Sequence, residues 1–455
     1  MKTRFFSFCL TFLFLLPLSA QEYTVSGYVQ DTGTGEKLIG ANVFCPGILS
    51  GTTTNSYGFY SITLPAGEYK ITYSFIGYQS SVQKVSLSKD VRLDINLEPS
   101  LELDEVTVTA ERNRAVESTQ MSTIHIPVKQ IKKIPALLGE VDLIKAIQLL
   151  PGVQSGTEGA SGLYVRGGGP DQNLILLDGT PVYNVSHLFG FFSVFNTDAV
   201  NNIELIKGGF PARYGGRLSS VLDISLKEGN MKKIKGTGSL GIISAKFTIE
   251  GPVVKDKTSF IVSARRTYLD YLVQPFIRTL GDEDPNTSQG YFFYDLNAKI
   301  NHKFSFKDRL YLSVYTGTDK FYRRRKPYTY LYDGVYYTDE SKSDLGWGNI
   351  TAALRWNHQF TGKLFSNTTF TYSHYDFHVK EFSKNIVRNG DSTTNEINSL
   401  SFLSGIDDFT AKVDFDFLPS PDHFVRFGMN HTYHIFRPGA SVFKIAGKKQ
   451  ATEAV

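Results

Sequence analysis

Phe292-Phe293-Tyr294-Asp295-Leu296-Asn297-Ala298-Lys299-Ile300-Asn301 is apolar at every even position, and from Asp295 onward its odd positions are polar or charged. The same period of two returns in Ile350, Ala352, Leu354 and Trp356 against Thr351, Ala353, Arg355 and Asn357. It returns again in Phe409, Ala411, Val413, Phe415 and Phe417 against Asp408, Thr410, Lys412, Asp414 and Asp416. Each run reads as a strand with one greasy and one ionic side. In a soluble sandwich the ionic side faces water; in a membrane barrel it lines a wet lumen while the greasy side meets lipid. Working outward from these runs, eight strands are expected, near 236–250, 258–272, 291–305, 309–322, 346–360, 363–383, 398–417 and 423–437. The links at 251–257, 306–308, 361–362 and 418–422 are short, and those at 273–290, 323–345 and 384–397 are long and polar. Short links alternating with long ones are how outer-membrane barrels are built, and Tyr268, Tyr271, Phe321, Tyr322 and Phe382 near strand ends suit interfacial girdles. A soluble propeller or adhesin stack is the competing architecture.

Composition narrows the classes. The 455 residues suggest about three domains at roughly 150 residues each. Gly 40, Phe 34 and Tyr 25 lean toward β-structure. Lys+Arg 48 against Asp+Glu 44 is too even for a nucleic-acid binder. A mean hydropathy of -0.17 and the lack of any late apolar run near 18 residues exclude a helical multi-span protein, but not a barrel of alternating strands.

Met1 to Arg4 is basic, Phe5 to Leu18 is apolar and Ser19-Ala20-Gln21 follows, so residues 1–20 read as a cleaved secretory signal peptide. Only Cys45 then remains, and an exported protein with one thiol must be stable without internal disulfides. Residues 21–98 alternate with period two, as in Tyr69, Ile71, Tyr73, Phe75 and in Val91, Leu93, Ile95, Leu97, with turn signals between, which predicts a sandwich of about seven short strands. Its motifs are Gly27-Tyr28-Val29, Thr34-Gly35-Glu36, Leu38-Ile39-Gly40-Ala41-Asn42-Val43, Gly51-Thr52-Thr53-Thr54 and Phe75-Ile76-Gly77-Tyr78. In that order they resemble the carboxypeptidase regulatory-like domain, a non-catalytic accessory module.

Residues 99–120 read as a linker. Within it, Asp104-Glu105-Val106-Thr107-Val108-Thr109-Ala110 is a short β-prone stretch with two readings on pattern alone. It is either the last strand of the sandwich or a strand able to add itself to a partner's sheet edge. Residues 121–234 then bring a short helix face, Leu143, Ile144, Ile147 and Leu150, stopped by Pro151. Glycine-crowded strands follow: Val165-Arg166-Gly167, Leu177-Asp178-Gly179, Glu204-Leu205-Ile206-Lys207-Gly208 and Arg213-Tyr214-Gly215-Gly216-Arg217. This ordered set resembles the plug domain of TonB-dependent outer-membrane receptors. The resemblance makes residues 104–110 the TonB box, and makes Arg166, Gly167, Asp178, Gly179, Gly208, Arg213, Tyr214, Gly215, Gly216 and Arg217 the plug motif. Residues 158–195 depart from the pattern of the glycan-importing subgroup, so no glycan substrate is carried over.

The fold expected is therefore all-β dominated: an N-terminal β-sandwich, a small α+β plug, and an incomplete transmembrane antiparallel β-barrel over 235–455. A plugged 22-stranded barrel needs far more chain than eight strands use, so the sequence reads as an N-terminal fragment. The resemblance implies active import of a scarce nutrient (iron chelate, cobalamin, peptide or oligosaccharide) across the bacterial outer membrane. The implied partners are a TonB-type inner-membrane complex, outer-membrane lipid, the transported small molecule and, in some architectures, a surface lipoprotein. The alternatives are a secreted or surface-anchored adhesion protein and a truncated, non-functional receptor fragment. No catalytic residue, metal or cofactor is expected. There is no nucleophile elbow, Gly167-Gly168-Gly169 lacks a phosphate-loop ending, and a zinc peptidase lacks a ligand set. His374, Asp376 and His378 share a strand face, as period two gives any polar strand. Tyr322-Arg323-Arg324-Arg325-Lys326 is expected to open an external loop able to meet lipid phosphates. Arg166, Arg213 and Arg217 are expected to face wall carboxylates such as Asp414 and Asp416.

Overall fold

In the strand Thr287–Lys303 burial is inverted relative to a soluble protein: Asp295, Asn297, Lys299 and Asn301 are buried, while Tyr294, Leu296 and Ile300 are exposed. The computed structural model, which describes residues 21–100, 122–134, 138–156, 162–276, 286–420, 423–445 and 448–454, places this strand in a ten-stranded antiparallel meander. Its outer face shows Leu312, Val314, Ile350, Leu354, Trp356, Phe370 and Phe409. Its concave face buries Ser313, Thr351, Asn357, Thr369 and Ser373. Apolar outside and polar inside is the arrangement lipid demands. The first and last strands, Lys235–Leu240 and Lys448–Ala454, do not pair with each other, so the described sheet is an open arc and not a closed barrel.

The strand count differs from the eight expected. The run at 236–250 divides into Lys235–Leu240 and Ser244–Val254, because the chain reverses at Gly241, whose amide donates to the Ser244 carbonyl. Two of the expected loops, 323–345 and 384–397, are strand instead. Asp308–Tyr332 pairs with Val335–Gln359 up to the Asp333-Gly334 turn, both residues at positive φ (49° and 76°). Leu364–Asn389 pairs with Ser392–Ser420 around Gly390. Asp-Gly and Gly-Asp between alternating residues are hairpin signals, and here Asp333-Gly334 and Gly390-Asp391 extend the wall well beyond a bilayer's thickness. Of the link expected at 273–290, the strand Thr287–Lys303 takes the last part.

The N-terminal sandwich packs two sheets. One holds Phe59–Pro65, Glu22–Asp31 and, parallel to the latter, Val91–Arg92 and Ile95–Leu97; the other holds Ser50–Thr53, Asn42–Cys45, Gly67–Ser74 and Ser81–Leu87. The run 91–97 breaks at Leu93-Asp94, where the Leu93 carbonyl approaches Gly27 so closely that a Cβ there would lie 2.1 Å from it. Val25, Val29, Ile62, Leu64, Ile71, Tyr73 and Leu97 form the core, and the Tyr60 hydroxyl lies 2.9 Å from that of Tyr73 and donates to the Leu93 carbonyl at 2.7 Å. The sandwich sits against the short-turn end of the wall. There Phe59 and Tyr57 stack on Phe365, Arg92 donates to the Phe306 carbonyl, and Asn55 donates to Asp416.

Against the concave face of the wall lies the plug, a five-stranded sheet ordered Thr180–Pro181, Asn173–Leu177, Ser220–Leu226, Val200–Lys207, Thr123–Pro127. The helix Leu143–Gln148 covers it, burying Leu143, Ile144 and Ile147 as the periodicity predicts. Asp142 caps the helix by accepting from the Lys145 amide at 2.9 Å. The signal segment 1–20 and residues 104–110 lie outside the described residues.

Candidate functional site

The chemistry of the molecule gathers at the seam where the plug meets the concave face of the wall. Its first anchor is Asp178, at the tight turn joining Asn173–Leu177 to Thr180–Pro181, with φ of 49° at Asp178 and 82° at Gly179. That turn aims the carboxylate at the wall. Oδ1 accepts from Lys299 Nζ at 3.0 Å and from the Leu226 amide at 3.1 Å, while Arg355 donates to the Asp178 carbonyl at 2.9 Å. Burial alone would raise the acid's pKa; the Lys299 and Arg355 charges outweigh it and hold Asp178 below the usual carboxylate range. Its Oδ2 is buried without a hydrogen-bond partner among the described residues, so the anchor falls short of full satisfaction.

The second anchor is the hairpin Ser186–His187 with Phe192–Ser193. His187 is buried between two wall carboxylates, Nε2 at 2.9 Å from Asp295 and Nδ1 at 2.5 Å from Asp319, and stacks on Phe293 with ring centroids 4.1 Å apart. Burial pushes the imidazole toward neutrality, but Asp295 and Asp319 overcome it and push the pKa up to about 9. The Leu188 amide also donates to Asp319, and Tyr291 hydrogen-bonds the same carboxylate. Arg265 of the wall joins this cluster to the plug by pairing with Asp295 and donating to the Ser193 carbonyl at 2.7 Å.

Further bonds run along the seam. Glu140 of the plug pairs with Lys246, and Glu228 pairs with Arg309. Tyr183 donates to Asp408 at 2.5 Å, and Ser373 donates to the Pro181 carbonyl. Buried ions held this way stay in place only while their partners do. Such a seam is firm when assembled, and water can replace its bonds once the plug is drawn away.

The plug-motif residues divide into separate groups. Gly179, Arg213 and Tyr214 border one polar cavity of about 60 Å³ with Tyr57 of the sandwich and Arg355 and Lys412 of the wall, while Asp178 stands apart from it at its ion pair with Lys299. Arg166, at φ of 48°, donates to Ser122 and reaches toward Gly208; Gly167 follows it at φ of 85°. Gly216 lies at φ of 77°, and Arg217 donates to its carbonyl and lies over the Tyr183 ring; Gly215 stands just before them. The expected pairing of Arg166, Arg213 and Arg217 with Asp414 and Asp416 is corrected. Arg213 donates to Tyr214 and stacks on its ring, Asp414 pairs with Lys412, and Asp416 pairs with Arg426. At the Asp178, Glu140 and Glu228 anchors the polarity is the reverse of that expectation: plug acids meet wall cations.

The face shared by His374, Asp376 and His378 points outward. His374 pairs with Asp407 at 2.6 Å, Arg437 pairs with the same carboxylate, and no metal-type cluster occurs among the described residues. One His-x-x-Glu spacing does exist, His378 to Glu381, but it lies in a strand, where residues three apart point to opposite faces and cannot share an ion. Arg323, Arg324, Arg325 and Lys326 lie in the strand Asp308–Tyr332 and not in a loop. Sequence reasoning missed His187, Glu140 and Glu228. His187 lies within the stretch 158–195 singled out in the sequence, but a lone histidine has no periodicity to mark it.

Comparison with known proteins agrees with this architecture. Residues 25–108 match the CarboxypepD_reg-like domain, and residues 115–220 match the TonB-dependent receptor plug domain. The chain is similar to the TonB-dependent receptor SusC of Bacteroides thetaiotaomicron, 29% identical over 240 residues that cover 50% of this chain and 23% of that protein. It is also similar to the TonB-dependent receptor P39 of Formosa agariphila, 28% identical over 48% of this chain and 22% of that one. The matched stretch thus spans under a quarter of these relatives. Among solved structures, the siderophore receptor PirA from Acinetobacter baumannii aligns over 75% of this chain and 60% of that one, at 14% identity and a TM-score of 0.37. This chain thus carries a CarboxypepD_reg-like domain followed by a TonB-dependent receptor plug domain, seated against an open wall of alternating strands.

Proposed function

We propose that this chain supplies the gate of an active importer in the bacterial outer membrane, with the plug as the moving part and residues 104–110 as the handle. The observation that carries the reading is the seam itself: a separately folded domain held on the ionic face of a lipid-facing wall by Asp178–Lys299, His187–Asp295 and Glu228–Arg309. A scarce nutrient binds from outside. Residues 104–110 then add a strand to an energised TonB-type partner in the inner membrane, and the pull breaks seam bonds one after another. The step is mechanical, with no covalent chemistry. The handle lies between the sandwich and the plug in sequence, so a pull loads both. The sandwich is tied to the plug by the Met231 amide on the Thr34 carbonyl and the Glu228 amide on Glu36, which makes it a second element to be displaced. The cargo is a small molecule of the classes such receptors carry, an iron chelate, cobalamin, peptide or oligosaccharide.

Val106→Pro or Val108→Pro in the complete protein tests the handle, because proline removes an amide donor from the added strand. Uptake is expected to fall to background while the protein still reaches the outer membrane. Normal uptake at normal surface expression would remove 104–110 from the mechanism.

A further inference from the structure

The outward face of the wall carries a feature that gating does not use. In register, Val262, Ala298, Val314, Ala352, Tyr372 and Phe409 form one continuous lateral row, and Ile300, Leu312, Leu354, Phe370 and Ala411 form the row next to it toward the short turns. A tilted strand crosses the bilayer core in about 9–11 residues, which carries Asp308–Tyr332 from its turn to around Thr318. The outward positions immediately above are Lys320, Tyr322 and Arg324. Across the ladder, Tyr322 meets Asp344 and then Lys380, and Arg324 meets Lys342 and then Phe382. No register shift separates these residues from the apolar rows below, so they point the same way.

Charge in this band is unbalanced. Lys320 and Arg324 converge on one carboxylate, Asp344, at 3.8 and 3.7 Å, and Lys342 pairs with Glu340 at 2.7 Å. With Lys380 and Lys384 on the same face, five cations meet two acids. The side chains of Arg324 and Lys342 are 51% and 50% exposed. Arg324 lies over the Tyr322 ring and Lys342 over the Phe382 ring, so the amphipathic aromatics stand at the boundary with the cations beside them.

We propose that this band, Lys320, Arg324, Lys342 and Lys380 around Asp344, is a docking surface for the phosphorylated headgroups of outer-leaflet lipid. The proposal rests on reading the sheet as a membrane barrel. Two observations select the occupant: the band stands on the same outward face as the lipid-facing apolar rows, above two mixed rows that hold Ile350, His374 and Asp407 and then Thr318 and Asp376, and its excess positive charge complements phosphate at headgroup height. The motif 322–326 thus divides by parity, with Tyr322 and Arg324 facing lipid while Arg323 and Arg325 face the lumen side.

The test uses the complete protein purified from outer membranes, presented with diphosphorylated lipid A in mixed micelles, with bound phosphorus read after washing. Wild type is expected to retain lipid A and to lose it as salt rises. The combined variant Lys320→Gln, Arg324→Gln, Lys342→Gln, Lys380→Gln should retain roughly tenfold less, and Asp344→Asn should retain more than wild type. Equal retention by wild type and the four-fold variant overturns the proposal. If the four-fold variant fails to insert, unchanged retention by Asp344→Asn does so instead. Inorganic phosphate held as firmly as lipid A overturns the lipid assignment. Recovery of wild type in the soluble fraction overturns the barrel reading and this surface together. Unimpaired uptake by Val106→Pro counts against gating alone, because that variant is expected to keep wild-type lipid retention.

Discussion

The sandwich and the plug–wall seam solve opposite problems with opposite materials. The sandwich closes on Val25, Ile62, Leu64, Ile71 and Leu97, all buried side chains without charge. Its cohesion comes from area removed from water and has no directional release point. The seam buries Asp178, Lys299, His187, Asp295, Glu140 and Arg265, each dependent on a specific counter-charge. Removing one partner strands the other, whereas moving the whole domain returns both to water. Under the gating proposal, a part that stays folded under load suits the first construction, and a part that lets go suits the second.

The largest effect should come from breaking the seam on one side. Asp178→Ala leaves Lys299, 3% exposed, without its carboxylate and should loosen plug attachment by about 3–5 kcal/mol. Hydrogen exchange of Asn173–Leu177 in the membrane-embedded protein reads this directly. Adding Lys299→Met should return most of the loss, since the uncompensated charge is then gone. A double variant as loose as the single one would mean that the pair is not what holds the turn.

The matching cut in the sandwich is Ile71→Ala, expected to cost about 3–4 kcal/mol through lost burial and the cavity left behind. No second substitution should rescue it by charge, and exchange in the plug strands should be unchanged. If plug exchange rises in step, the two regions unfold as one unit and the contrast between them fails.

A pH titration separates the regions more finely. His187 has its pKa raised from the ordinary 6.5 to about 9, so its contribution is fully present below pH 6.5 and is lost as pH climbs through 9. The hairpin Ser186–His187 with Phe192–Ser193 should loosen by up to about 3 kcal/mol over that range, while the sandwich core should not respond. His187→Gln should abolish the dependence. A wild-type profile flat from pH 6 to 10 would place the imidazole outside the ionic cluster.

How much of this could be read in the sequence follows from the range of each interaction. Hydrophobic patterning is local: period two gave the wall strands and the inward side of Asp295 and Lys299, and the helical period of Leu143, Ile144 and Ile147 gave the helix ending before Pro151. Asp178 was singled out by its Leu-Asp-Gly turn, yet its partner Lys299 stands 121 positions away and no local pattern joins them. The plug arginines were expected to meet wall acids because pairing plug to wall by opposite charge is physically sensible. The turn geometry instead presents an acid, and the wall answers with lysine. The long polar segments 323–345 and 384–397 looked like loops by composition, but Asp333-Gly334 and Gly390-Asp391 were tight-turn signals that outweighed it.

The smallest effect tests whether polar bonds matter inside the sandwich at all. The Tyr60 hydroxyl is a buried polar group of that core, touching the Tyr73 hydroxyl and donating to the Leu93 carbonyl where the strand run breaks beside Gly27. Tyr60→Phe keeps the ring and its burial and removes one donor, so denaturant unfolding should shift by only about 1 kcal/mol. That is well below the Ile71→Ala loss, and the ratio is the point of the measurement. In a core held by burial, shape outweighs any single hydrogen bond. If Tyr60→Phe cost as much as Ile71→Ala, the sandwich would depend on its buried polar contacts as the seam does, and the two constructions would not be opposites.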